Sequence, residues 1–291
     1  GLQLNGTFDE TDPAEVLSGV TVQVGDTDIG SNFTITYTNH QLTVACNNLK
    51  AIPGLTKDSQ IVVKYTAELL STAVIGGAGN KNEVYLEYAN DPNATGKGTT
   101  GNTKTDEVLV FTYELDVTKV DGKEGTTTLA NAEFVLLSSD KTKAARISNG
   151  KLVEWVAASE GTKLTSGNDG KFVIAGLDAG SYYLRETKAP AGYNLLGNEI
   201  GITITATLDK SENNPSLTAL KISVREDKTG AVATESDGNV TTGTVSTVVE
   251  NVAGAQLPLT GGIGTTVFYI AGSVLVLTAA VPSVTRKRRK I

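Results

Sequence analysis

Apolar and polar residues alternate with a period of two through most of this chain, in short runs separated by turn residues. Gly19–Val24, Gln41–Ala45, Gln60–Tyr65 and Glu83–Tyr88 each alternate or cluster β-branched and aromatic side chains between Gly, Asn and Asp, a pattern of short strands. Further strands are predicted at Glu133–Leu137, Lys171–Ile174, Ser181–Glu186, Glu199–Ala206, Ala219–Val224 and Gly243–Asn251. The run Val108–Val120 exceeds the ~5–6 residues of a usual strand. We divide it near Tyr113, so that its first half closes one domain and its second half opens another with almost no linker. Before the tail no segment sustains a 3.6-residue period, although Asp12–Leu17 has room for one helical turn. Asn90–Asp106, rich in Asn, Gly, Thr and Lys, is expected to be a surface loop. The strands after Tyr113, each bounded by turns, predict an immunoglobulin-like sandwich. The fold class is all-β.

The pattern changes at the C-terminus. Ile263–Val284 is a run of 22 residues without a formal charge, long enough to cross a hydrocarbon layer as a helix of ~20 residues. Arg286-Lys287-Arg288-Arg289-Lys290 follows and should stay on the cytoplasmic side. Leu257-Pro258-Leu259-Thr260-Gly261 precedes the span. Pentapeptide, span and basic tail, in that order, resemble the cell-wall sorting signal of Gram-positive surface proteins. The resemblance implies that a membrane sortase attacks the Thr260–Gly261 bond with a cysteine thiolate and holds Thr260 as a thioester. It then passes the chain to an amine of the peptidoglycan cross-bridge or of a neighbouring pilin, splitting a difficult acyl transfer into two easier steps. Pro258 suits an extended substrate, because it fixes φ and supplies no N–H.

Charge agrees with export. The net charge is −7, and without the five basic tail residues 20 Lys+Arg face 32 Asp+Glu, or −12. So acidic a body, with no basic stripe and few aromatics, argues against a nucleic-acid partner. One cysteine, Cys46, allows no intrachain disulfide. Cys46 shares a strand face with Leu42 and Val44 and reads as core, and the single histidine, His40, falls in a turn. We expect no metal site and no cofactor. Gly76-Gly77-Ala78-Gly79 and Asn90-Asp91-Pro92-Asn93 read as turns. The chain opens Gly-Leu-Gln-Leu without a signal peptide, so a tail that demands export predicts a C-terminal fragment.

Three residues break the two-residue period where it should be apolar. Leu115, Val117 and Lys119 share a face, as do Tyr182, Leu184 and Glu186, and Val245, Thr247, Val249 and Asn251. An unpaired buried ammonium costs several kcal/mol at least. A strand end reaching solvent, or a Lys–Glu ion pair, would explain any one of these. All three together are the chemical types of an amide-forming trio. Burial favours a neutral amine and a protonated acid. The amine could attack the Asn251 carboxamide carbon while Glu186 polarises the amide oxygen and relays protons. Ammonia would leave, and an isopeptide bond would join the first strand to the last.

Tyr113–Gly122, Gly176–Tyr193 (with Glu186-Thr187-Lys188-Ala189-Pro190-Ala191-Gly192-Tyr193) and Val248–Asn251 look like the terminal CnaB (collagen-adhesin B-type, SpaA-like) domain of Gram-positive major pilins. That resemblance implies Lys119 as the bond-forming amine, Asn251 as its partner and Glu186 as the acid. Ile61–Ala67 and Gly79–Asn93 are similar to the CnaA-type domain of the same pilins. By parity Asn82 joins Val84, Leu86 and Tyr88 on an inward face, and the resemblance makes Asn82 a second isopeptide partner whose lysine lies upstream. Lys64 shares a face with Val62 and Thr66 instead and is a poor substitute. The expected organisation is a CnaA-like domain over residues 1–112, a CnaB-type domain over 113–254 and the sorting signal over 255–291. The two form immunoglobulin-like sandwiches in tandem, followed by a transmembrane helix. The implied function is a pilus shaft subunit on the cell wall, a sortase substrate and no enzyme beyond its own cross-link. An accessory or basal pilin, or a non-polymerised adhesin with a host ligand, is the alternative, and the acceptor lysine of a shaft subunit would tell them apart.

Overall fold

The computed structural model describes residues 2–4, 19–38, 41–69, 72–91, 98–211, 215–226 and 231–254. Asp12–Leu17, His40, the pentapeptide Leu257–Gly261, the apolar span and the basic tail lie outside the described residues.

The N-terminal half is built of short strands: β1 (Leu2–Leu4), β2 (Thr21–Val24), β3 (Thr27–Asp28), β4 (Thr34–Thr38), β5 (Gln41–Ala45) and β6 (Ile61–Lys64). They continue as β7 (Ala67–Leu69), β8 (Asn80–Val84), β9 (Glu87–Ala89), β10 (Thr100–Asn102) and β11 (Asp106–Val110). They pair in twos and threes: β3–β2–β6, β4–β5, β8–β11, β9–β10 and β1–β7. Val22, Ile29 and Ile52 are buried, and Val24, Phe33, Ile35, Val44, Cys46 and Ile61 pack around them. Cys46 therefore does sit against a core. Two expectations fail. The loop Asn90–Asp106 contains a strand, β10. Glu83–Tyr88 is not one strand but is broken at Tyr85–Leu86 between β8 and β9, whereas Gln60–Tyr65 holds β6, shorter by one residue at each end. Val84, Leu86 and Tyr88, expected to face inward, are 62%, 61% and 47% exposed. The break between β8 and β9 interrupts the alternation only beyond Val84, so the exposure of Val84 itself is a failure of the inward reading.

The C-terminal half comprises β12 (Tyr113–Asp121), β13 (Glu133–Leu137), β14 (Lys143–Ser148), β15 (Lys151–Ala157), β16 (Leu164–Thr165) and β17 (Lys171–Leu177). It ends with β18 (Gly180–Lys188), β19 (Ile200–Asp209), β20 (Ser216–Glu226), β21 (Thr234–Asp237) and β22 (Thr244–Asn251). Hydrogen bonding runs β21-β20-β19-β18-β13-β14-β15-β17-β12-β22, with β16 on β13, in one 11-stranded sheet. The sheet folds over a core that includes Leu115, Val117, Phe134, Leu136, Ile174, Leu184, Ile202, Leu220 and Val245. Each such side chain contributes about 1.5–3 kcal/mol on burial. The chain leaves β11 at Val110 and enters β12 at Tyr113, with buried Phe111 and Thr112 between them.

β12 and β22 are the first and last strands of this half, and they pair in parallel. Their register runs from Glu114↔Thr244 through Lys119↔Val249 to Asp121↔Asn251. Parallel neighbours need a long crossover; here the rest of the domain provides it.

The two halves meet through glycine. The Gly76 amide donates to the Thr112 carbonyl at 3.0 Å, and the Gly77 amide to that of Thr241 at 3.2 Å. Gly243 has φ +71°, and a Cβ there would lie 2.4 Å from the Gly76 Cα. Neither backbone can carry a side chain at that approach. Gly25 has φ +56° and open space around it. Gly25→Ala should cost about 1–2 kcal/mol through left-handed backbone alone, and Gly243→Ala clearly more. Urea unfolding of the two variants checks this; equal losses would mean that the close contact is not maintained in solution.

Candidate cross-link site

Strand period two places Lys119 where an apolar residue belongs. In β12 the inner face carries Tyr113, Leu115, Val117 and Lys119, all buried, and Val120 beside them is buried too; Lys119 is 0% exposed. Glu186 follows Tyr182 and Leu184 on the inner face of β18, and Asn251 follows Val245 and Val249 on that of β22. The side chains of Glu186 and Asn251 are buried as well.

The main chain of Lys119 is gripped on both sides. Its amide donates to the Gly170 carbonyl, and its carbonyl accepts from the Leu129 amide, each at 2.8 Å. Gly170 has φ +76°, and a Cβ there would lie 2.7 Å from the Lys119 carbonyl oxygen. The side chain crosses to the neighbouring strand, where Nζ donates to the Val249 carbonyl at 2.8 Å and to the Val120 carbonyl at 3.3 Å. A neutral amine has two N–H groups and one lone pair. The two carbonyls use both N–H groups and leave the lone pair as a nucleophile. Burial pushes the Lys119 pKa down from 10.5 to about 8, against the opposing pull of the negative charges of Glu186, Glu250 and Asp121.

Asn251 and Glu186 are in direct contact. Asn251 Nδ2 donates to Glu186 Oε2 at 3.0 Å and to the Asn194 carbonyl at 2.8 Å. Glu186 Oε2 also accepts from the Leu196 amide at 2.8 Å. The acid therefore meets the nitrogen of the carboxamide, not its oxygen as the sequence reading supposed. The Asn194 carbonyl can only accept, so it turns the nitrogen end of the amide toward itself and Glu186. Asn251 Oδ1 and Glu186 Oε1 are buried without a hydrogen-bond partner. Leaving a buried polar atom unpaired costs about 1–3 kcal/mol, and such atoms call for an explanation in function.

A loop missed at the sequence level completes the site. After β18 the chain turns at Pro190, whose carbonyl accepts from the Tyr193 amide, through Gly192 at φ +88°. It then runs beside the end of β22, with Asn194 N donating to Val252 O and Gly254 N to Gly192 O. The signal was the stretch Ala189-Pro190-Ala191-Gly192-Tyr193. It marked the resemblance, but backbone groups, which do the work at Asn194 and Leu196, leave no mark in side-chain pattern.

Asn82 is placed elsewhere. It lies in β8 opposite Val108, and its Nδ2 donates to the Tyr65 hydroxyl at 2.8 Å in an exposed setting. Lys64 is exposed at the end of β6. Among the described residues no group of three or more His, Cys, Asp or Glu could hold a metal ion.

Residues 113–218 match the family described as SpaA, prealbumin-like fold domain. Residues 249–290 match the LPXTG cell wall anchor motif. This is the class of cell-wall-anchored surface proteins. The trypsin-resistant surface T6 protein of Streptococcus pyogenes serotype M6 is 29% identical over 169 residues, which are 54% of this chain and 28% of that protein. The chain thus spans little more than a quarter of the curated relative. The solved pilus 2b backbone protein of group B streptococcus is 25% identical, over 87% of this chain and 81% of that one, with a TM-score of 0.52. The T6 backbone pilin of serotype M6 S. pyogenes shares the fold at 17% identity, over 88% of this chain and 59% of that one, with a TM-score of 0.50. The chain thus combines a match to a SpaA prealbumin-like domain with a match to an LPXTG anchor motif, and it is similar to streptococcal backbone pilins.

The lowered Lys119 pKa has a thermodynamic sign. Between about 8 and 10.5 the unfolded lysine binds more protons than the folded one, so the stability of an unlinked chain rises with pH across that window. Asn251→Ala should accordingly gain thermal stability between pH 8 and pH 10 relative to the Lys119→Met/Asn251→Ala double variant. Parallel pH profiles for the two would show that Lys119 is solvated.

Proposed function

We propose that this chain is the wall-proximal part of a pilus shaft subunit, processed by sortase at Thr260 and joined to peptidoglycan or to the next subunit. Its last domain is closed by a self-formed amide between Lys119 and Asn251. The observation that supports this reading most is the burial of an amine, a carboxamide and a carboxylic acid between strands at the two ends of one domain.

The reaction balances without a cofactor. Lys119 Nζ attacks Asn251 Cγ, and the Nζ–Cγ bond forms as the Cγ–Nδ2 bond breaks. The amine gives up one proton and the departing nitrogen takes one, so ammonia leaves. Glu186, 3.0 Å from Nδ2, is placed to carry that proton to the leaving nitrogen. Fixed proximity supplies the rate, because both partners are held by neighbouring strands.

The product suits a shaft under load. The anchor lies just beyond β22 and the preceding domain just before β12. With Lys119 and Asn251 joined, tension runs from the anchor through the amide into β12 and bypasses residues 120–250. Unfolding then requires breaking covalent bonds, and resistance becomes kinetic. The relative's name records trypsin resistance; a domain tied end to end would share it.

Intact-mass measurement should find one ammonia missing from the parent chain, and the full mass restored in Glu186→Ala and in Lys119→Ala. Opening a closed loop of over a hundred residues costs about 4–5 kcal/mol by loop-closure entropy, so these variants should melt at least ~10 °C lower. Full mass in the parent chain would remove the cross-link. Thr260→Ala should hold the protein in the membrane fraction of a sortase-bearing host; release by wall-digesting enzymes would refute sorting at this motif.

A further inference from the structure

The loop after β18 is fastened to both of the strands that the cross-link would join. Main-chain bonds at Gly192, Asn194, Val252 and Gly254, with a bridge between Tyr193 and Ala253, fix it to the end of β22. A side-chain bond fixes it to β12: Tyr193 Oη donates to Asp121 Oδ2 at 2.7 Å. Asp121 lies opposite Asn251 in the β12/β22 register, two residues beyond Lys119. The next residue of the loop supplies the Asn194 carbonyl that takes the second N–H of Asn251 Nδ2. Two residues later the Leu196 amide holds Glu186 Oε2. One loop thus orients the leaving nitrogen and the acid together.

We propose that Tyr193 and Asp121 form a clasp that seats this loop over the site, making Tyr193 a positioning residue for cross-link formation. The clasp acts through the Asn194 carbonyl, which decides which end of the Asn251 carboxamide meets Glu186. If the loop lifts, the amide is free to turn its oxygen toward the acid, a geometry in which Glu186 cannot serve the leaving nitrogen. The proposal rests on the Lys119–Asn251 reaction described above. The hydrogen bond to Tyr193 lowers the Asp121 pKa, and the bond to Asp121 raises that of the Tyr193 phenol, as a donor paired with an ionised acceptor requires.

Asp121 has a second influence that separates it from Tyr193. With Glu186 and Glu250 it is one of the negative charges that raise the Lys119 pKa against burial. Removing that charge makes the amine easier to deprotonate; removing the phenol leaves the charge in place.

The test follows ammonia loss by intact mass after cell-free synthesis of the whole chain, from pH 6 to pH 10, for the parent, Tyr193→Phe, Asp121→Asn and the double variant. Loss of one hydrogen bond that fixes the reactive geometry should slow Tyr193→Phe by about tenfold without moving the pH midpoint. Asp121→Asn should be slowed comparably, with its midpoint displaced to lower pH. The double variant should be no slower than the slower single one, since the two side chains act as one unit. Tyr193→Phe linking at the parent's rate, even with a lower melting temperature, would overturn the clasp and leave the cross-link standing. Fully additive slowing in the double variant would also overturn it. A parent chain that loses no ammonia would instead remove the reaction itself, and the clasp with it.

Discussion

A lysine ammonium in a dry β-sandwich is the constraint on which the rest of this domain depends. Lys119 has no access to solvent and two carbonyl groups as partners. In the charged form that burial costs several kcal/mol, a large share of the 5–15 kcal/mol by which most domains are stable. An apolar residue at the same position would continue the alternation of Tyr113, Leu115 and Val117 at no such cost. The arrangement makes physical sense when the charge is given up. As a neutral amine bonded to Asn251, Nζ becomes an amide nitrogen that the interior tolerates.

The surrounding architecture follows from that need. β12 and β22 lie side by side in parallel although most of the domain separates them in sequence. Gly170 allows the loop before β17 to close on the Lys119 backbone, and the loop after β18 closes over Asn251 and Glu186. Each contact restricts one degree of freedom of a group in the proposed reaction, which is how proximity would accelerate it without an external catalyst. The unpaired oxygens of Glu186 and Asn251 are what the proposed site would leave over before a bond forms. The close approach of Gly76 and Gly243 couples the preceding half to the N-terminal end of β22.

Much of this was legible in the sequence, because strand period two is a strong signal wherever one face is buried. Lys119, Glu186 and Asn251 were found as polar residues on inward faces, and the structure buries all three. The same rule failed at Val84, Leu86 and Tyr88, which are exposed although alternation placed them inward. The hairpin β14–β15 was missed despite a clear mark: Asn149-Gly150, both with positive φ (50° and 77°), is the favoured two-residue hairpin turn. Its strands, Lys143–Ser148 and Lys151–Ala157, carry enough charge to weaken the alternation. The orientation of the Asn251 amide was beyond sequence altogether, since the Asn194 carbonyl that decides it is a group every residue possesses.

The most direct measurement is peptide mapping of the mature protein by tandem mass spectrometry. The account predicts a branched species in which the Lys119 and Asn251 peptides are joined through their side chains, lighter by one ammonia than the pair. Two separate linear peptides, with a free lysine and an intact asparagine, would contradict it.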